Sequence, residues 1–201
     1  MPRAKTYTRD EIVSKAMHKF WRDGFAATSM DDLVRCTEVS RHGIYAAYGG
    51  KRDLFLACLE VYRHVVVTPA FARVEEEGAG LKDIEQYFEQ QISLAEASGL
   101  PGPGCLFANT MTETGPHEAR SMAAVRAHND RLACGFHNAL RNEANKRGGR
   151  ADAHLGELAA FLTISAQGLW SMSRAVESAE PMRSFARLLL ELTMTRLDHG
   201  S

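Results

Sequence analysis

The 201-residue sequence predicts an all-α protein: a compact three-helix unit over residues 1–52, followed by a six-helix body over 53–201. Three observations predict it. Apolar residues recur at helical spacing almost throughout. Capping residues open the candidate helices, and glycines or prolines close them. No segment combines period-2 alternation with β-branched enrichment, as a strand would.

In the first unit, Thr8-Arg9-Asp10-Glu11 is a capping-box pattern. Behind it Ile12, Val13, Ala16, Met17, Phe20 and Trp21 form one apolar stripe, which Gly24 ends. Thr28-Ser29-Met30-Asp31 offers a second cap before a short helix with Met30, Leu33 and Val34 facing inward. Ser40 caps a third helix, Arg41 to Tyr48, closed by Gly49-Gly50. Longer helices follow at about 51–77, 81–97, 105–113, 117–147, 152–178 and 182–198. The breakers between them are Gly78-Ala79-Gly80, the run Gly99 to Gly104, Gly115-Pro116, Gly148-Gly149 and Pro181.

Composition narrows the function. With 45% hydrophobic and 24% charged residues, the chain buries an ordinary globular core. It has no uninterrupted apolar run of about 18 residues, so no membrane span is expected. Met1-Pro2-Arg3-Ala4-Lys5 leads into polar residues, unlike a secretory signal. Cysteines 36, 58, 105 and 134 form no CxxC and no dense framework; they read as reduced thiols in a cytoplasmic protein. The net charge of −1 divides unevenly: residues 1–52 carry ten Lys/Arg against six Asp/Glu (+4), and the remainder fourteen against nineteen (−5). A basic head on an acidic body is the asymmetry expected when only the head meets phosphates.

Residues Leu33 to Tyr45 have the organisation of a helix-turn-helix. Val39 plugs the angle between the helices, and Ser40 caps the second. A helix so placed lies in a major groove with its first residues at the base edges. That brings Arg41, His42 and Gly43 to DNA, with Tyr45 one turn on, while Ile44 and Tyr48 turn back to the small core. His42 reads equally as a base contact or as solvated. Tyr45 also reads as a core aromatic.

Gly24-Phe25-x-x-Thr28-Ser29-Met30, then Val39-Ser40-x-x-x-Ile44-Tyr45-x-x-Tyr48-x-x-Lys51-x-x-Leu54-Phe55, resembles the N-terminal signature of TetR-type repressors. The resemblance implies that Thr28, Ser40, Tyr45 and Lys51 touch phosphate. It also implies a double-stranded operator, a small-molecule effector, and a homodimer formed through the last two helices. Three positions depart from the pattern. Glu38 stands in place of the turn glycine, at a strain of about 1 kcal/mol if its backbone is left-handed. Gly50 replaces a polar cap. Ala46 and Ala47 replace larger side chains, concentrating base reading on Arg41 and His42.

The body carries the expected switch and twofold interface. Leu155, Leu158, Phe161, Leu162, Ile164, Leu169, Trp170 and Met172 line one long helix. Phe185, Leu188, Leu189, Leu192 and Met194 line the next, more apolar surface than one side of a monomer buries. In the middle helices Tyr62, Tyr87, Phe88, Phe107, Met111 and Met122 form the expected lining of a site for an apolar or aromatic effector, with Tyr62, Tyr87, Asn109 and His128 as its orienting polar groups. Each of these alone also reads as core packing. Gly104-Cys105-Leu106-x-x-Asn109 resembles a pattern in one branch of the family, some of whose members sense oxidants or electrophiles through the cysteine. Cys105, expected with these residues at the ligand site, therefore reads either as a reactive thiol, favoured by a helix N-terminus, or as a small buried residue. No HExxH, GxSxG, P-loop or GxGxxG occurs, and His117-Glu118 has no second ligand at helical spacing, so no catalytic site, metal or cofactor is expected.

Overall fold

The computed structural model describes residues 8–115, 118–148 and 154–199. Arg3 and Lys5 of the basic head, the breakers Pro116 and Gly149, and His117 lie outside the described residues. Every regular element among the described residues is helical. The first unit holds α1 (Arg9–Asp23), α2 (Met30–Thr37) and α3 (Arg41–Tyr48). α4 (Lys51–Tyr62) runs through a π turn (Arg63–Val67) into α5 (Thr68–Glu75). Then come α6 (Leu81–Ser98), α7 (Leu106–Thr114), α8 (Ala119–Lys146), α9 (Leu155–Met172) and α10 (Glu180–His199). With Lys51–Glu75 counted as one, these are nine helices among the described residues. The expected division after residue 52 falls inside α4, leaving its first two residues, Lys51 and Arg52, with the first unit.

Local chemistry starts the short helices as the sequence indicates. Thr8 Oγ1 accepts from Glu11 N–H at 3.2 Å while Glu11 accepts from Thr8 N–H at 2.8 Å. Ser29 caps α2 in the same reciprocal way with Asp32. Satisfying otherwise orphaned amides is worth about 1 kcal/mol per cap. Phe20 packs edge-on to Phe55 with centroids 5.0 Å apart, and Phe25 lies 4.8 Å from Phe55. Together with buried Leu33, Ile44 and Leu54 they make the small core.

The 25-residue stretch Lys51–Glu75 is apolar enough, by length and composition, to cross a membrane. Its buried residues instead pack as a central helix, with α1 and α3 at one end and α7 and α8 along its length. The π turn has a covalent cause. Pro69 lacks the N–H that an α-helix would direct to Val65, and its ring crowds that carbonyl. The turn widens, and Thr68 N–H bonds Arg63 O five residues back.

Beyond it, Phe71, Tyr87, Phe88, Phe136 and Trp170 interlock at centroid distances of 5.2–6.2 Å. α9 packs on α8, and α10 crosses onto α6 and α9. The helix expected to run to 178 ends at Met172, where Ser173, Arg174 and Ala175 turn back to bond Leu169, Ser171 and Met172.

Candidate nucleic-acid interface and ligand cavity

Helix α3 presents its N-terminal turn to solvent. Ser40 Oγ accepts from Gly43 N–H at 3.1 Å, and Arg41, His42 and half-exposed Tyr45 stand outward. Gly43 has a packing reason to be glycine: a Cβ there would lie 2.7 Å from Val39 Cγ1, the plug between the two helices. Glu38 has φ 61° and ψ 19°, the left-handed conformation that its replacement of a turn glycine foreshadows. Its carboxylate lies 3.2 Å from Lys15 Nζ.

The expected phosphate contacts sit differently from one another. Ser40 and Tyr45 are exposed. Thr28 is fully buried, and its hydroxyl donates to Gly24 O at 2.6 Å, so that side chain offers nothing to a phosphate. Arg41 is held 2.8 Å from Asp31, which raises its pKa, so DNA would replace one anion by another. Lys51 is half-buried, with its ammonium 4.4 Å above the Phe25 ring; burial lowers its pKa against the pull of Glu113. The face of Phe25 thus accounts for a cation at a helix start without any phosphate.

Polar contacts fasten this unit and the first turn of α4 to the body. Glu113 on α7 accepts from Phe25 N–H at 2.8 Å and Ala26 N–H at 2.6 Å. Arg52 pairs with Glu118 at 2.5 Å, and Asp53 with Arg120 at 2.7 Å.

Behind these joints lies a cavity of about 490 Å³. Of the nine expected lining residues it brings together Tyr62, Tyr87, Cys105 and His128. Phe107 supports it from behind, stacked on the His128 ring at 4.3 Å. Phe88 is fully buried against Phe136 and Trp170. Asn109 turns to the backbone, donating to Pro103 O at 2.8 Å. Met111 and Met122 pack half-buried against the core. The lining residues that sequence reasoning missed include Trp21, Val66, Gln91, Pro103 and Ser173. For Trp21 a signal existed: successive helix residues diverge by about 100°, so Phe20 and Trp21 do not share one face.

Cys105 is a correction. It occupies the N-cap position of α7 but makes no side-chain capping hydrogen bond. Burial raises its thiol pKa, outweighing the Ala108 and Phe107 amides and the Tyr62 hydroxyl that pull it down, and this argues against the expected excess of thiolate. His128 is neutral: burial chiefly, then Arg131, takes its pKa down to about 4. Its Nδ1 is buried without a hydrogen-bond partner.

On the last two helices the apolar residues divide into two faces. Leu155, Leu158, Leu162, Leu169, Trp170 and Leu189 are buried. Phe161, Ile164, Met172, Phe185, Leu188, Leu192 and Met194 are exposed, Ile164 at 73%.

A capped, solvent-facing second helix joined to a helical body with an internal cavity defines the class of one-component DNA-binding regulators. The profile described as "Bacterial regulatory proteins, tetR family" matches residues 12–58, and "Tetracyclin repressor-like, C-terminal domain" matches 80–189. The chain belongs to the TetR family and is a DNA-binding transcriptional regulator. It is 28% identical over 196 residues to the HTH-type transcriptional repressor ComR of Escherichia coli (strain K12), covering 94% of this chain and 90% of the relative. It is 23% identical over 193 residues to the regulator YezE of Bacillus subtilis (strain 168), described as uncharacterized, covering 96% and 99%. Among solved structures, a cysteine mutant of the TetR-family regulator CifR complexed with 26-bp operator DNA superposes with TM-score 0.80 at 20% identity, over 94% of this chain and 98% of that one. A TetR regulator from Chloroflexus aurantiacus gives 0.79 at 22%, over 92% and 93%.

Proposed function

We propose that this regulator is a cytoplasmic repressor that binds a near-palindromic operator as a homodimer and releases it when a small apolar or aromatic molecule fills the cavity. The observation that carries this is that one chain joins a polar, exposed reading helix to a body holding a cavity, through Glu113 at the Phe25 and Ala26 amides and through α4. The exposed apolar face of α9 and α10 supplies the twofold interface, and two recognition helices so paired would meet successive major grooves about 34–36 Å apart, or an enlarged variant of that spacing. The CifR mutant's complex with operator DNA supports a duplex partner for this fold. Residues 1–52 carry the DNA contacts and 53–201 the ligand and dimer contacts. The chain acts by binding rather than catalysis.

Reversible occupancy is favoured over modification of Cys105, because a buried thiol with a raised pKa is a poor nucleophile. Helix α4 carries the response, since it starts at Lys51 beside the reading unit and reaches the cavity at Tyr62.

The test begins with selecting the preferred duplex from a random pool with the purified protein and footprinting it. Two-fold-related protection by a dimer is expected; protection of one asymmetric half-site by a monomer overturns the reading. On that duplex Arg41→Ala costs about 1–3 kcal/mol and relaxes base preference. Lys51→Ala weakens all sequences alike and lowers the salt slope by about one ion. Uniform loss in both makes Arg41 a backbone contact.

A further inference from the structure

We infer that helix α1 of the DNA-side unit forms one wall of the ligand site through Trp21, and that the site takes a neutral, flat aromatic molecule. The inference rests on the effector reading above and deepens it.

Trp21 reaches away from the small core and lines the cavity. There it stands edge-on to Tyr62, with centroids 5.0 Å apart at 74°. Tyr87 and Trp170 line the other side, 6.1 Å apart and nearly perpendicular. Aromatic walls at these angles favour a planar aromatic guest. Among the described residues no Asp, Glu, Lys or Arg lines the cavity, so a charged guest would lose hydration without gaining a partner there. The polar side chains are neutral ones, among them Tyr62, Tyr87, Gln91, Ser98 and Ser173, with His128, whose Nδ1 lacks a partner.

The same tryptophan holds a loop that lines the cavity. Its indole N–H donates to Gly104 O at 2.7 Å. Asn109 donates to Pro103 O at 2.8 Å, and Gly102 N–H to Ser173 O at 2.9 Å. A loop of three cavity-lining residues, Gly102, Pro103 and Gly104, is thereby tied to α1, α7 and the end of α9. The fit is tight: Gly104 has φ +73°, and a Cβ on it would lie 2.9 Å from Arg174 Cγ. A guest seated against Trp21 therefore presses on the indole and on the carbonyl that the indole holds. The displacement passes to the end of α1, three residues before Gly24 and the Phe25 and Ala26 amides that Glu113 grips.

The experiment uses the full chain with two probes of one ring system: neutral N-phenyl-1-naphthylamine and anionic 8-anilinonaphthalene-1-sulfonate. Each is titrated by its own fluorescence into wild type, Trp21→Phe and Trp21→Ala. The neutral probe is expected to bind at least about 10-fold tighter than the sulfonate. Trp21→Ala weakens it by about 3- to 10-fold, the span of one aromatic pair, and Trp21→Phe by less. The sequence has two tryptophans, so ¹⁵N spectra of the wild type hold two indole N–H signals. The one missing in Trp21→Phe belongs to Trp21. It is expected to shift and to exchange faster on adding the neutral probe, a readout taken on the wild type, with folded Trp21→Phe needed only for the assignment.

A neutral probe that saturates the wild type with this signal unmoved, and with Trp21→Ala affinity unchanged where that variant melts cooperatively, overturns the assignment of α1 while leaving the effector reading intact. Equal binding of both probes, or binding of neither, overturns the ligand class. Movement of the Trp21 signal without release of the selected duplex supports the site and sinks the effector reading instead.

Discussion

The reading unit and the α9–α10 face are both open to solvent, yet the side chains they expose are opposite in kind. On α3 the outward residues are Arg41, His42 and Tyr45, over a core closed by Ile44 and Leu33. On α9 and α10 they are Ile164, Leu188, Leu192 and their apolar neighbours, at exposures a monomer rarely leaves contiguous. The first surface suits a hydrated polyanion, with bonds exchanged one for one, as Arg41 would exchange Asp31 for DNA. The second suits burial against a like surface, where removing apolar area from water is the driving force. Exposure alone assigns nothing; the chemistry of what is exposed does.

The largest effect that would break this contrast is on the apolar face. If α9 and α10 form the proposed dimer interface, Ile164→Asp should give monomers and lower operator affinity by about 100-fold or more, since it would bury an unpaired charge there. Sedimentation velocity checks it, and a dimer that survives at micromolar concentration removes the face from the interface. Asp31→Ala, its counterpart on the polar surface, should leave the dimer intact.

A second effect belongs to the body alone. His128 has its pKa depressed from 6.5 to about 4, so the unfolded chain takes up this proton before the folded one does. Its contribution is complete above about pH 6.5 and drains away as pH falls toward 4, on the order of 3 kcal/mol in all. Denaturant melts at pH 7 and 4.5 should show His128→Gln losing less stability across that window than wild type. Parallel losses would show that His128 is not the group responsible.

Smaller effects test the local order of the reading unit. Gly43→Ala should cost about 1–3 kcal/mol, because Val39 must move. Gly156→Ala, with nothing within 4 Å of the added Cβ, should gain up to about 1 kcal/mol. Thermal melts that rank the two oppositely would refute the packing at the turn. The smallest change is Glu38→Gly, which should stabilise by up to about 1 kcal/mol by relieving the left-handed strain, less whatever the exposed Lys15 pair contributes.

The sequence by itself determined the helices and the reading unit, because their signals are local. Thr8 with Glu11, Ser29 with Asp32, and Ser40 with Gly43 each bond across three residues, so the chemistry that starts each helix is written beside it. The left-handed backbone at Glu38 was foreshadowed instead by the resemblance, which places a glycine at that turn. Only the tertiary structure decided the cavity. Its walls come from positions as separate as Trp21, Tyr62, Cys105 and Trp170, and apolar periodicity marks a residue as inward without saying which neighbour it meets. It also decided that Thr28 is buried, that Asn109 holds a loop instead of facing a ligand, and that burial outweighs the helix terminus at Cys105. Likewise it divided the apolar residues of α9 and α10 between core and surface. Desolvation depends on everything packed around a group, and that sum exists only once the chain has closed on itself.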